Sequence, residues 1–159
     1  MKTIFVDMDG VLTDFDKRYR ELFKTEPGEK RDDKFSTRWE EFIYGKHFTT
    51  LEWFPSGKEL IKYLNTLNIQ KAILSSTGGF KRHNYVAAQK KEWLNNNHID
   101  YPAVFVPGKE YKPGYANKNS LLIDDTLSII VNFQKAGGTA IHHTSFGETV
   151  AFIESWLDD

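Results

Sequence analysis

The stretch Thr3–Asp16, TIFVDMDGVLTDFD, decides the fold. It opens on a short apolar run, Ile4-Phe5-Val6, of the kind that forms a strand buried on both faces. The run ends on Asp7, Asp9 and Gly10, then turns apolar again at Val11 and Leu12. Two carboxylates so close to a buried strand need a cation or a shell of hydrogen bonds to hold them. At the carboxyl end of a parallel strand they would face the crevice where open α/β sheets bind ligands. Gly10 would let the backbone turn sharply there without a Cβ clash. A simple helix cap is the competing reading of an Asp after a strand.

Working outward, the apolar pattern predicts four more short strands: Gln70–Leu74, Tyr101–Val106, Ser120–Ile123 and Thr139–His142. Helices are predicted between and after them, over 56–67, 84–97, 126–135 and 146–157. Ser56 reads as the N-cap of the first of these, with Glu59 completing a capping box. Strands alternating with helices imply a doubly wound, parallel, Rossmann-like sheet of five strands. Helical spacing also appears at Phe15, Tyr19, Leu22 and Phe23, and again at Phe35, Trp39, Phe42 and Ile43. The polar, turn-rich stretch 25–34 separates the two. This segment is too long for one crossover helix. It is read as a small helical cap, residues 16–52, inserted into an α/β core of residues 1–15 and 53–159.

The ends of the predicted strands carry the chemistry. Gln70–Leu74 runs into Ser75-Ser76-Thr77-Gly78-Gly79, where hydroxyls and backbone N–H groups suit a phosphate, although an ordinary Ser/Thr-Gly turn fits the string as well. Ser120–Ile123 ends on Asp124-Asp125, and an N-cap accounts for only one of them. Lys109, Lys112 and Lys118 crowd the preceding loop; any one alone reads as a solvated surface lysine. His142 and His143 are adjacent, face opposite sides of a strand, and read as structural.

Composition narrows the class. The chain has 159 residues, enough for one compact domain with a small insertion. Its formal net charge of −1 advertises neither nucleic acid nor an anionic membrane. It has no cysteine, which rules out disulfides, thiolate metal sites and a Cys nucleophile. No signal-peptide pattern and no apolar run of membrane-spanning length is visible, so a soluble, cytoplasmic protein is expected.

The string DMDGVLTDF resembles the first signature of the haloacid-dehalogenase-like hydrolases, and within them that of the 5′(3′)-deoxyribonucleotidase-like branch. Ser75 resembles the second signature, Lys112 in KPGYA the third, and Asp124-Asp125 the fourth. The segment FTTLEWFPSGKELIKYL resembles the family's return from cap to core. The resemblance implies a first strand lying between the second and fourth, which would gather the strand ends into one site. It implies Asp7 as nucleophile towards phosphorus and Asp9 as general acid and base. Ser75, with Ser76 beside it, and Lys112 would hold the phosphoryl oxygens. Phe15 would help to form a nucleobase pocket. Four acidic groups brought together would repel unless a hard cation sat among them, and an all-oxygen set suits Mg²⁺. Its ligands would be Asp7, the Asp9 carbonyl and the Asp124-Asp125 pair. The expected activity is hydrolysis of small phosphomonoesters, with nucleoside monophosphates leading. An end-processing phosphatase acting on nucleic acid and a non-catalytic phospho-ligand binder are the alternatives.

Overall fold

A computed structural model of the chain describes residues 1–28 and 34–159. Five strands form one sheet: β1 (Thr3–Val6), β2 (Gln70–Ser76), β3 (Ala103–Val106), β4 (Ser120–Asp124) and β5 (Thr139–His142). Their order is β3-β2-β1-β4-β5 and every pairing is parallel. The first strand therefore does lie between the second and the fourth. All five strands expected from the apolar runs form, so the α/β sheet reading holds. Its third strand starts later than expected, at Ala103, because Pro102 has no N–H for a ladder.

Helices α1 (Phe15–Phe23) and α2 (Phe35–Tyr44) lie between β1 and β2, followed by a 3₁₀ turn at His47–Thr50 and then α3 (Gly57–Leu64). Helix α4 (His83–Asn96) follows β2, α5 (Leu127–Lys135) follows β4, and α6 (Phe146–Asp158) ends the chain. A second 3₁₀ segment, Lys109–Tyr115, links β3 to β4. Of the polar turn expected over 25–34, Pro27-Gly28 is a turn, and residues 29–33 lie outside the described residues. Among the described residues no helix is long and apolar enough to cross a membrane.

Alternation along the strands builds two cores. Ile4, Val6, Ile73, Leu121 and Ile123 face one way, onto Leu60 and Leu64 of α3, Trp93 of α4 and Ile153 of α6. Leu74, Leu122, Val106 and Ala140 face the other way, onto Ile129, Ile130 and Phe133 of α5. The helical segment between β1 and α3 joins the first core through Tyr19, Phe42, Ile43 and Phe48.

The start of α3 departs from the capping box. Ser56 has a left-handed backbone (φ 66°) and its side chain makes no capping bond. The cause is the neighbour. Phe54 N–H donates to the Leu12 carbonyl at 2.8 Å, and a Cβ on Gly57 would stand 3.1 Å from that same oxygen. The chain must therefore turn tightly against the loop after β1, and that turn takes Ser56 out of capping geometry.

Candidate active site

The register of the sheet assembles the site. Val6 pairs with Ile123, and Asp7 N–H continues the ladder to the Ile123 carbonyl at 3.0 Å. Asp7 is thereby carried to the side of Asp124. Beyond it the chain closes a tight loop, in which the N–H groups of Val11, Leu12 and Thr13 all donate to the Met8 carbonyl. Gly10, at φ +85°, makes that loop possible, and a Cβ there would meet the Asp125 carboxylate at 2.0 Å. Carboxylate oxygens of Asp7, Asp124 and Asp125 lie within 4.8 Å of one another.

Lys112 sits inside this group, only 2% exposed. Its ammonium donates to Asp7 Oδ1 at 3.0 Å and to Asp124 Oδ2 at 2.7 Å. Asp124 Oδ1 accepts from Thr126 N–H at 3.0 Å. Of the three lysines in that stretch, Lys112 alone is buried, while Lys109 and Lys118 are exposed. Burial by itself would lower the Lys112 pKa, but Asp7 and Asp124 outweigh it and hold the ammonium above its ordinary value. Burial also pushes Asp7 well above the usual carboxylate range; Lys112 opposes that shift, and Asp124, Asp125 and Asp9 add to it. Asp125, at the solvent-facing side, is raised to about 6 by partial desolvation and then by the Asp124 charge.

Three carboxylates against one ammonium leave a formal charge of −2 at this point. A divalent cation fits that balance. The donors are all oxygens, as a hard divalent cation prefers.

Asp9 stands apart from the trio. Its Oδ1 accepts from Thr13 Oγ1 at 2.8 Å, and its Oδ2 from Lys90 Nζ at 3.0 Å. Lys90, on α4, also donates to Ser75 Oγ at 2.8 Å and to the Ser76 carbonyl at 2.9 Å. Ser75 is buried and Ser76 half-buried at the end of β2, where Ser76 Oγ accepts from Gly78 N–H at 3.3 Å. Sequence reasoning missed Lys90. The available signal was its spacing four after Val86, three before Trp93 and four before Leu94, all buried on α4. A lysine in that stripe has to end on an acceptor wherever packing denies its head a way out to water.

Asp7, Asp9, Ser75, Ser76 and Lys112 all line one cavity of about 640 Å³, and Phe15 lines it too. Phe15 is largely committed to packing, however. Its ring stacks on Phe48 (centroids 5.6 Å apart, planes at 15°) and touches Phe42 at 4.8 Å and Trp39 at 6.1 Å. Trp39 in turn covers Gly78, where a Cβ would meet its ring at 2.6 Å. The two histidines separate as expected of opposite strand faces. His143 Nδ1 pairs with Thr149 Oγ1 in the interior at 2.7 Å, while His142 Nε2 donates to the Asp125 carbonyl at 2.9 Å, behind the acidic pair.

No protein-family model matches the sequence, and no curated protein matches it. Solved structures do match. A hydrolase from Streptococcus pneumoniae superposes with a TM-score of 0.58 at 15% identity, covering 97% of this chain and 100% of that one. A provisionally assigned beta-phosphoglucomutase from Thermotoga maritima gives 0.52 at 16% identity, covering 95% of this chain and 90% of that one. At such identities the likeness shows the fold, and over nearly its whole length this chain has the fold of a solved hydrolase.

Proposed function

We propose that the protein is a Mg²⁺-dependent phosphatase of the haloacid-dehalogenase-like type, acting on small phosphomonoesters. The observation that carries this reading is the Asp7–Lys112–Asp124 arrangement, a buried carboxylate held at 3.0 Å by a lysine beside a second acidic strand end. A binding module would have no use for so costly a buried charge group. Asp7 attacks phosphorus and forms an aspartyl-phosphate as the ester P–O bond breaks. Asp9 gives its proton to the departing oxygen, then takes one from the water that attacks the phosphorus of the intermediate. Ser75, Ser76 and Lys112 hold the equatorial oxygens, where negative charge builds up. Mg²⁺, held by Asp7, Asp124, Asp125 and the Asp9 carbonyl, would neutralise the phosphoryl charge and orient it. Residues 16–52 serve as the cap over the cavity, and the leading substrates are nucleoside monophosphates.

The test is steady-state turnover of an aryl phosphate with Mg²⁺, with Ca²⁺ and in excess chelator. Mg²⁺ should support activity, Ca²⁺ should support it poorly because its looser shell misplaces the nucleophile, and chelator should abolish it. Full activity in chelator would sink the assignment. Thermal unfolding gives a readout independent of turnover. Asp7 and Asp125 have raised pKa values in the fold, against about 3.9 unfolded. The native state then binds more protons, so the stability of the metal-free protein should fall as pH rises from about 4 through the value of about 6 for Asp125. Mg²⁺ should restore most of the loss at neutral pH, and a melting temperature indifferent to both pH and Mg²⁺ would contradict the site.

For the substrate, a panel of ribo- and deoxyribonucleotides, sugar phosphates and phosphorylated oligonucleotides is decisive. An aromatic face stacks on a base for about 1–3 kcal/mol. Phe15→Ala should therefore cost a nucleotide roughly tenfold more in kcat/KM than a sugar phosphate. Equal losses would remove Phe15 from base recognition, and a preference for oligonucleotide ends would turn the reading to end-processing.

A further inference from the structure

Lys90 is as deeply buried as Lys112, at 2% exposure, and the reaction scheme above does not use it. Its ammonium donates to three acceptors of the site: the Asp9 carboxylate on the loop after β1, the Ser75 hydroxyl and the Ser76 carbonyl at the end of β2. The other Asp9 oxygen is held by Thr13, so two donors fix the plane of that carboxylate. The Lys90 ammonium also lies 5.3 Å from the centre of the Phe48 ring. Its helix is tied down next to it, Gln89 donating to the Ile43 carbonyl and Trp93 to the Leu51 carbonyl, both at 2.8 Å. A buried lysine serving only the fold could end on backbone carbonyls. This one spans two strand ends and joins their functional side chains.

We propose that Lys90 is a positioning residue for the general acid, holding the Asp9 carboxyl group in register with the hydroxyl of Ser75. The inference rests on the phosphatase reading. Lys90 keeps its own protons throughout. It fixes the direction from which Asp9 gives a proton to the ester oxygen and later takes one from water.

A leaving-group series tests this. Wild type, Lys90→Met and Lys90→Gln are assayed with Mg²⁺ on 4-nitrophenyl phosphate, phenyl phosphate and an alkyl phosphate. Nitrophenolate departs without a proton and an alkoxide cannot, so a misplaced acid penalises the alkyl ester most. General acid–base catalysis supplies about 10²–10⁴-fold. The kcat/KM of Lys90→Met, which reads only the step that expels the leaving group, should therefore fall about tenfold on the nitrophenyl ester and about 10³-fold on the alkyl ester. Lys90→Gln, which keeps a shorter donor, should lie between. A loss of kcat/KM by one common factor across the series would overturn the proposal, because a damaged fold or phosphate site lowers all three values alike. Near-UV circular dichroism and melting are recorded for both variants, and if neither folds, Lys90 is a folding residue and the proposal fails. A wild-type protein inert on all three esters would instead remove the phosphatase reading itself.

Discussion

Asp7→Asn is expected to lower kcat by about 10³-fold or more while leaving the melting temperature at or above that of wild type. The amide has nearly the same shape, but it cannot attack phosphorus and carries no charge for a cation. The fold should not suffer. Burial pushes the Asp7 pKa up and the neighbouring carboxylates add to it, so its ionised form is a liability that neutral Asn removes. Lys112 keeps its shorter bond, to Asp124 at 2.7 Å. Steady-state kinetics on an aryl phosphate and a thermal melt check both halves. Retention of more than a few per cent of activity would exclude the aspartyl-phosphate route.

Lys112→Met should damage stability as well as rate. Removing one partner from a buried ion group leaves carboxylates without compensation and costs about 3–5 kcal/mol. For a chain of this length that is a drop of roughly 6–20 °C in melting temperature without divalent ion. Mg²⁺ should recover part of it, because the cation then faces the full charge of Asp7, Asp124 and Asp125. Activity should fall by roughly 10²–10³-fold, as when one donor to a developing oxyanion is lost. Melts with and without Mg²⁺, alongside kcat, separate the two effects. A variant as stable as wild type in the absence of metal would mean that Lys112 does not balance the site.

Much of the sheet was legible because its signals are local. Each strand is a short apolar run, and two of the runs end abruptly on Asp, a boundary that sequence marks without ambiguity. The choice of Lys112 among three lysines rested on resemblance alone, since no local pattern tells which of them is buried between Asp7 and Asp124. Lys90 was hidden because a lysine on an amphipathic helix normally carries its charge out to water along an apolar stem. Here the stem leads inward instead, and the ammonium ends on Asp9, Ser75 and Ser76. The four-ring cluster of Phe15, Trp39, Phe42 and Phe48 was beyond reach for a similar reason. Helical spacing puts Phe15 on the apolar side of one helix and Trp39 and Phe42 on that of the next, and it does not reach Phe48. It cannot say which ring faces another and which borders the cavity. Ser56 shows a local signal overruled by contact with the loop after β1.

The two buried bonds from α4 to the carbonyls of Ile43 and Leu51 bear on how portable residues 16–52 are. A segment spliced in between strand and helix invites exchange for another of different shape. Here the recipient would be left with an indole and an amide pointing at nothing, each costing about 1–3 kcal/mol. Its core would also lack Tyr19, Phe42 and Phe48, which share one cluster with Ile4 and Trp93. A successful transplant therefore has to reproduce two carbonyl positions and an aromatic plug, and grafts designed on chain boundaries alone should yield insoluble protein.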